Sequence, residues 1–175
     1  MDTRLKRTPG IYLTGFMGTG KTTIGKMLAD RLGWEFVDLD VEIEAAEHIT
    51  IAELFEKRGE PEFRRIESEL LWKIVQRIES GAPSVVALGG GTFVGEHNAR
   101  LINDHGISIW LDCPVEVLHG RLDETESRPL ARDPERFRRL YEERHASYSR
   151  ATYRVSSDCE WEEAVAAILH LACWK

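Results

Sequence analysis

IYLTGFMGTGKT, residues 11–22, runs an apolar stretch straight into a glycine-rich loop that ends in Lys-Thr. IYLTG (Ile11–Gly15) has the length and composition of a buried strand. From Lys21 to Arg31 apolar residues recur at Ile24, Met27 and Leu28, and then at Leu32, the spacing of one helix face. Gly33 follows where a C-terminal glycine belongs. Between strand and helix, Gly15, Gly20, Lys21 and Thr22 fill every fixed position of GxxxxGK[ST], in the strand–loop–helix context that gives this P-loop motif its meaning. Glycines let backbone N–H groups turn inward around a phosphate without a Cβ in the way, and the helix that begins at about Gly20 adds its positive end. The Lys21 ammonium reaches the terminal phosphate oxygens, and the Thr22 hydroxyl is an expected ligand of Mg²⁺. Gly18, Thr19, Gly20, Lys21, Thr22 and Thr23 are the expected contacts to a nucleoside triphosphate, with Lys21 acting on the transferred group.

Working outward, short apolar runs alternate with helical periods, which predicts βα units around a parallel sheet. EFVDLD (Glu35–Asp40) reads as a second strand, SVVALGGGT (Ser84–Thr92) as a third, ISIWLD (Ile107–Asp112) as a fourth, and Tyr153–Ser156 as a short fifth. Thr50 with Glu53 forms a capping box for a helix from Ile51 to about Arg58, and Pro61 opens another toward Ile78. Further helices are expected from Pro114 to about Arg121, from Glu135 to Arg150, and from Glu160 to Ala172. Asp123–Pro134 is polar and lacks periodicity, a loop of the length that is usually functional. The sum is a single three-layer α/β domain with five strands.

Composition narrows the function classes. With 175 residues, 42% hydrophobic and 30% charged, the chain is an ordinary globular domain. No apolar stretch approaches the roughly 20 residues of a membrane helix, and no apolar segment follows the basic start, so neither a span nor a signal peptide is expected. A net charge of −7 disfavours nucleic acid and membrane surfaces as partners, both being polyanions. Three cysteines without CxxC spacing fit reduced thiols in a cytoplasmic protein. Nine arginines nevertheless crowd between Arg121 and Arg154, either a solvated helix face or a reserve for a small anionic ligand.

Ligands of open α/β sheets bind outside the carboxyl ends of the strands, which brings two more groups to the phosphate loop. Asp38 and Asp40 end strand two and, on an extended segment, point the same way. Asp38 is the candidate for magnesium or its water, and Asp40 for an acceptor hydroxyl. Alternatively, Asp40 caps a helix beginning at Val41. Gly89, Gly90 and Gly91 end strand three, and three glycines in succession fit a close backbone approach to a ligand. No aspartate follows the run Val85–Leu88, so metal duty falls to Thr22 and Asp38.

The P-loop, DLD at Asp38–Asp40, EFRRIE at Glu62–Glu67, GGGT at Gly89–Thr92 and SRPL at Ser127–Leu130 occur together in one order and spacing, from Ile11 to about Leu171. In this the chain resembles the shikimate kinases. The resemblance implies the nucleoside-monophosphate-kinase type of fold with sheet order 2-3-1-4-5. It also implies a core of about residues 10–38, 68–122 and 134–175, an acceptor-binding segment at about 39–67, and a lid at about 123–134. ATP and shikimate are the implied substrates, Mg²⁺ the cofactor, and the cytoplasm the location of a monomer that needs no nucleic acid or membrane. By the same resemblance Arg64 and Arg144 hold the shikimate carboxylate, as arginine forks do. Asp40 and the N–H groups of Gly90 and Gly91 hold hydroxyls, and Gly89 is also expected at the substrate. Arg128 stabilises the transferring phosphate, and Arg121 lies near adenine. Glu67, three residues after Arg64 on one helix face, orients it. Ile51, Phe55 and Phe63 are candidates for an apolar wall, with core packing the alternative for Phe55 and Phe63. The family often has proline between the later arginine and tyrosine, where this chain has Ala146, and Arg150 is then the alternative to Arg144.

Overall fold

The computed structural model describes residues 10–123 and 133–171. Five parallel strands, β1 (Gly10–Thr14), β2 (Glu35–Asp38), β3 (Ser84–Ala87), β4 (Ile107–Asp112) and β5 (Tyr153–Ser156), form one sheet in the order β2-β3-β1-β4-β5. Buried on both faces, the inner strands need near-continuous apolar sequence, and all five residues of β1 and all four of β3 are buried. Side chains alternate between two cores, as the strand period requires. Ile11, Leu13, Val85 and Leu111 pack on one face with Ile24 and Leu28 of α1 (Lys21–Leu32) and Val165 and Ile168 of α7 (Trp161–Leu169). Tyr12 and Val86 pack on the other with Ile66, Leu71 and Ile74 of α3 (Ile51–Glu79) and Ile102 of α4 (Glu96–His105). A third cluster, Phe16, Trp110, Leu118, Phe137 and Tyr148, lies between the phosphate loop and helices α5 (Val115–Asp123) and α6 (Pro134–Tyr148).

The Thr50–Glu53 capping box forms as expected, with side chain and backbone exchanging bonds in both directions. The two helices expected on either side of Pro61 run on as α3, broken only at Gly59, whose φ of 80° and ψ of 168° are open to glycine and strained for other residues. Two boundaries differ from expectation. Strand two stops at Asp38, because that carboxylate caps α2 (Leu39–Glu47) by accepting from the N–H groups of Asp40 and Val41. Asp40 is therefore in the first helical turn, on no extended segment, and the cap is Asp38. Strand three stops at Ala87, and the glycines form a turn into a short 3-10 segment at Thr92–Val94. Helix α4 carries no sequence expectation at all. Its N-cap is Gly95, which offers no side-chain bond.

Among the described residues no helix is long and apolar enough to cross a membrane. Residues 124–132 lie outside the described residues, and with them most of the Asp123–Pro134 loop, the SRPL motif and Arg128.

Candidate active site

The phosphate loop leaves the carboxyl end of β1 and delivers α1 with an open N-terminus. Gly20, the N-cap, has φ 89° and gives no side-chain cap, and the first turn of α1 holds no acidic residue. Helices α2, α3 and α6 are capped by the side chains of Asp38, Thr50 and Asp133. The first-turn N–H groups of α1 are thus left for an anion, with the helix dipole behind them. A side chain at Gly20 would also collide with the Trp161 ring, 2.6 Å from where its Cβ would stand. The loop is pinned from within, since the buried Thr19 hydroxyl donates to the Phe16 carbonyl at 2.8 Å. The Lys21 ammonium donates to the carbonyls of Gly15 and Phe16 at 2.8 and 2.9 Å, lying across the loop it serves. Thr23 is exposed in the first turn of α1.

The Asp38 carboxylate divides its work. One oxygen caps α2, and the other accepts from the Thr22 hydroxyl at 2.9 Å. This pair of hard oxygen donors suits Mg²⁺, which keeps several waters and binds through one or two carboxylates plus substrate phosphates. Among the described residues no group of three or more His, Cys, Asp or Glu side chains is placed to hold a metal, so the fit is to a shared site completed by phosphate oxygens. Gly18, Gly20, Lys21, Thr22, Asp38 and Asp40 line one cavity of about 290 Å³, together with Gly90 and Arg144.

A second cavity of about 510 Å³ adjoins it, lined by Arg64, Glu67, Gly91, Thr92 and again Arg144. Arg64 comes from α3 beyond the kink. Its guanidinium donates to Glu67 at 2.8 Å, lies 3.5 Å from Glu60, and stacks 5.0 Å from the Phe63 ring centre. Glu67 is 1% exposed and its other oxygen accepts from the Thr92 hydroxyl at 2.6 Å. By contrast, Arg65 pairs with Glu62 and Glu69 on the outer face, where such bridges contribute about 0–1 kcal/mol. The Glu67 carboxylate that holds Arg64 is buried and bonded on both oxygens, which makes Arg64 the fixed arginine of the two.

The three glycines are explained by these charged neighbours. A Cβ on Gly89 would stand 2.8 Å from Asp40 Oδ1, one on Gly90 3.1 Å from Arg144 Nη1, and one on Gly91 would strike the Arg64 guanidinium. The close approach expected of a ligand is made first by the protein's own side chains, which the bare backbone admits to the site. Tyr148, one turn after Arg144 on α6, donates to the Gly90 carbonyl at 2.6 Å, and its burial pushes the phenol up to about 12 against the opposing pull of Arg144. This tie was not read from the sequence. The only signal was an aromatic four residues after an arginine, a spacing that puts both on one helix face. Ala146 leaves Arg144 in both cavities. Arg150 instead donates to the carbonyls of Phe93 and Val94 at 3.0 and 2.9 Å and lines neither.

Phe63 is buried and Phe55 packs against it, ring centres 4.5 Å apart, in the core cluster that Ile51 also touches, and none of the three lines either cavity. Arg121, the residue expected near adenine, is tied to the phosphate loop. It donates to the carbonyls of Gly18 (3.2 Å) and Ser157 (2.8 Å), and its guanidinium lies 4.5 Å from the Trp161 ring centre.

Residues 17–172 match the family model for shikimate kinase. The chain belongs to the shikimate kinase family. A shikimate kinase of Ruegeria pomeroyi is 44% identical over 153 residues, covering 86% of this chain and 76% of that protein. A shikimate kinase from Acinetobacter baumannii, solved in complex with shikimate, superposes with a TM-score of 0.85 at 35% identity, covering 95% of this chain and 93% of the other. The Aquifex aeolicus shikimate kinase superposes with a TM-score of 0.81, also at 35% identity, over 91% and 94% of the two chains. The chain is accordingly a P-loop kinase that phosphorylates shikimate with ATP, a step of aromatic amino-acid biosynthesis.

Proposed function

We propose that this chain transfers the γ-phosphoryl group of ATP to the 3-hydroxyl of shikimate, giving ADP and 3-phosphoshikimate, with Mg²⁺ accompanying the nucleotide. The carrying observation is that Arg144 lines both cavities while Arg64 is fixed in the second by a buried carboxylate. Two guanidinium groups so placed donate bidentately to one carboxylate and leave the rest of a small ring facing Asp40 and the phosphate loop. Asp40 accepts the hydrogen bond of the attacking hydroxyl, aligns its oxygen with the γ-phosphorus, and takes the proton as the new P–O bond forms and the β,γ bond breaks. The N–H groups of the Gly89–Gly91 turn hold the remaining hydroxyls. Lys21 and the first turn of α1 neutralise the phosphate oxygens, and Mg²⁺ held beside Thr22 and Asp38 would add its charge to theirs. Because the transition state is loose, positioning and charge neutralisation supply most of the rate. A monomer working in the cytoplasm is part of this reading.

The test is ADP release, followed by a coupled assay, with shikimate, gluconate and nucleoside monophosphates offered in parallel. Shikimate-dependent ADP release alone is expected. Equal turnover of another acceptor, or none with shikimate, would sink the reading.

A further inference from the structure

Thr92 has no part in phosphate binding and follows the last of the three glycines, yet it joins the two halves of the acceptor site. Its side chain is wholly buried and donates to Glu67 Oε1 at 2.6 Å, while Glu67 Oε2 takes the Arg64 guanidinium at 2.8 Å. Its backbone N–H closes the glycine turn by donating to the Gly89 carbonyl at 3.1 Å. One residue therefore fixes both the turn that presents Gly90 and Gly91 and the carboxylate that aims Arg64. A buried carboxylate with two oxygens needs donors on both, and an oxygen stripped of its donor turns toward whatever donor is left. The donor left here is Arg64 itself. Without the Thr92 hydroxyl, Glu67 is free to rotate and take up more of the guanidinium edge meant for the ligand.

We propose that Thr92 is a positioning residue for acceptor binding, acting through Glu67 on the orientation of Arg64. This rests on the carboxylate-clamp reading above. Thr92→Val keeps the shape and removes the hydroxyl, and Thr92→Ser restores it. For Thr92→Val the shikimate KM and the directly titrated shikimate Kd should rise about tenfold, the scale of one weakened charge-assisted hydrogen bond. The ATP KM should stay within about twofold, and Thr92→Ser should return both shikimate constants close to wild type. An unchanged shikimate Kd in Thr92→Val, equal losses in Val and Ser, or a parallel rise of both substrates' constants would each overturn the proposal.

A second measurement does not depend on turnover. The Nε–H resonance of Arg64, assigned by its disappearance in Arg64→Lys, should report an ordered side chain in wild type and in Thr92→Ser, and a disordered one in Thr92→Val. An equally ordered Arg64 in Thr92→Val rejects the positioning role. If wild type releases no ADP with shikimate, the function reading fails by itself, and this resonance still decides the role of Thr92.

Discussion

Asp40 sits in the first turn of α2, close enough to Gly89 that a methyl group there would meet its carboxylate. It faces the cavity that holds Lys21 and Thr22 but is not the residue that caps its helix. Its carboxylate is therefore placed on the side of the cavity where an acceptor hydroxyl would meet the phosphate loop. Asp40→Asn keeps size and hydrogen bonding and removes the proton acceptor, so turnover should fall by about 10²-fold or more, the usual worth of a general base. Nucleotide Kd should be nearly unchanged, and steady-state kinetics beside a nucleotide titration check both. The two candidate arginines of α6 and its C-terminus separate in the same way. Arg144→Ala should raise the shikimate KM by tenfold or more, the loss of one charge-assisted fork at about 1.5–3 kcal/mol. Arg150→Ala removes bonds to the Phe93 and Val94 carbonyls and should lower the melting temperature while sparing the shikimate KM. A shikimate defect confined to Arg150→Ala would reverse the assignment.

At the scale of elements, local signals were legible where one residue's chemistry decides the structure. The Thr50–Glu53 box and the Gly33 stop depend on neighbours within four residues, and each forms as the sequence predicts. What was not legible depends on contacts far along the chain. Helix α4 begins at an uncapped Gly95 and is held by buried Asn98, Ala99 and Ile102, with Asn98 bonded to Ser68 on α3, thirty residues away. The end of strand two was misread because Asp38 and Asp40 look equivalent in sequence. Only the Thr22 hydroxyl across the loop and the α2 backbone distinguish them. The glycine turn was legible as a close approach, but the approaching groups, Arg64 and Arg144, come from 26 residues before Gly90 and 54 after it. The capping box carries a pH prediction. The Glu53 carboxylate is held below the usual range by the Thr50 backbone N–H first, then by the Thr50 hydroxyl and Lys57. A lowered folded-state value gives stability that is present above the ordinary glutamate value of about 4.3 and drains away as pH falls through the lower one. Glu53→Gln should therefore lower the urea midpoint at pH 7, by a small amount at so exposed a site, and the gap to wild type should close toward pH 3. A gap that persists undiminished at pH 3 would show that the charge contributes nothing.

Over the whole molecule, the site is assembled from five separated segments: the loop after β1, the cap of α2, the second half of α3, the turn after β3 and the end of α6. None of these can hold a ligand unless the sheet has already set strands β2, β3 and β1 side by side. Ligands should thus bind the folded chain and scarcely at all the unfolded one, so each must raise its stability by mass action. At one hundred times its Kd a ligand adds about 2.7 kcal/mol. For a chain of this length that corresponds to a rise in melting temperature of about 5–10 °C, at roughly 2–4 °C per kcal/mol. ADP with Mg²⁺ and shikimate should each give such a shift. Removal of the metal should separate them, because the Thr22–Asp38 pair touches the nucleotide cavity alone, while Arg64 and its carboxylate partners line the other. Excess EDTA should therefore shrink the ADP shift and leave the shikimate shift intact in differential scanning calorimetry. A shikimate shift that vanishes with the metal would mean that the cation reaches the acceptor cavity, and the division of labour between Asp38 and Arg64 would have to be redrawn.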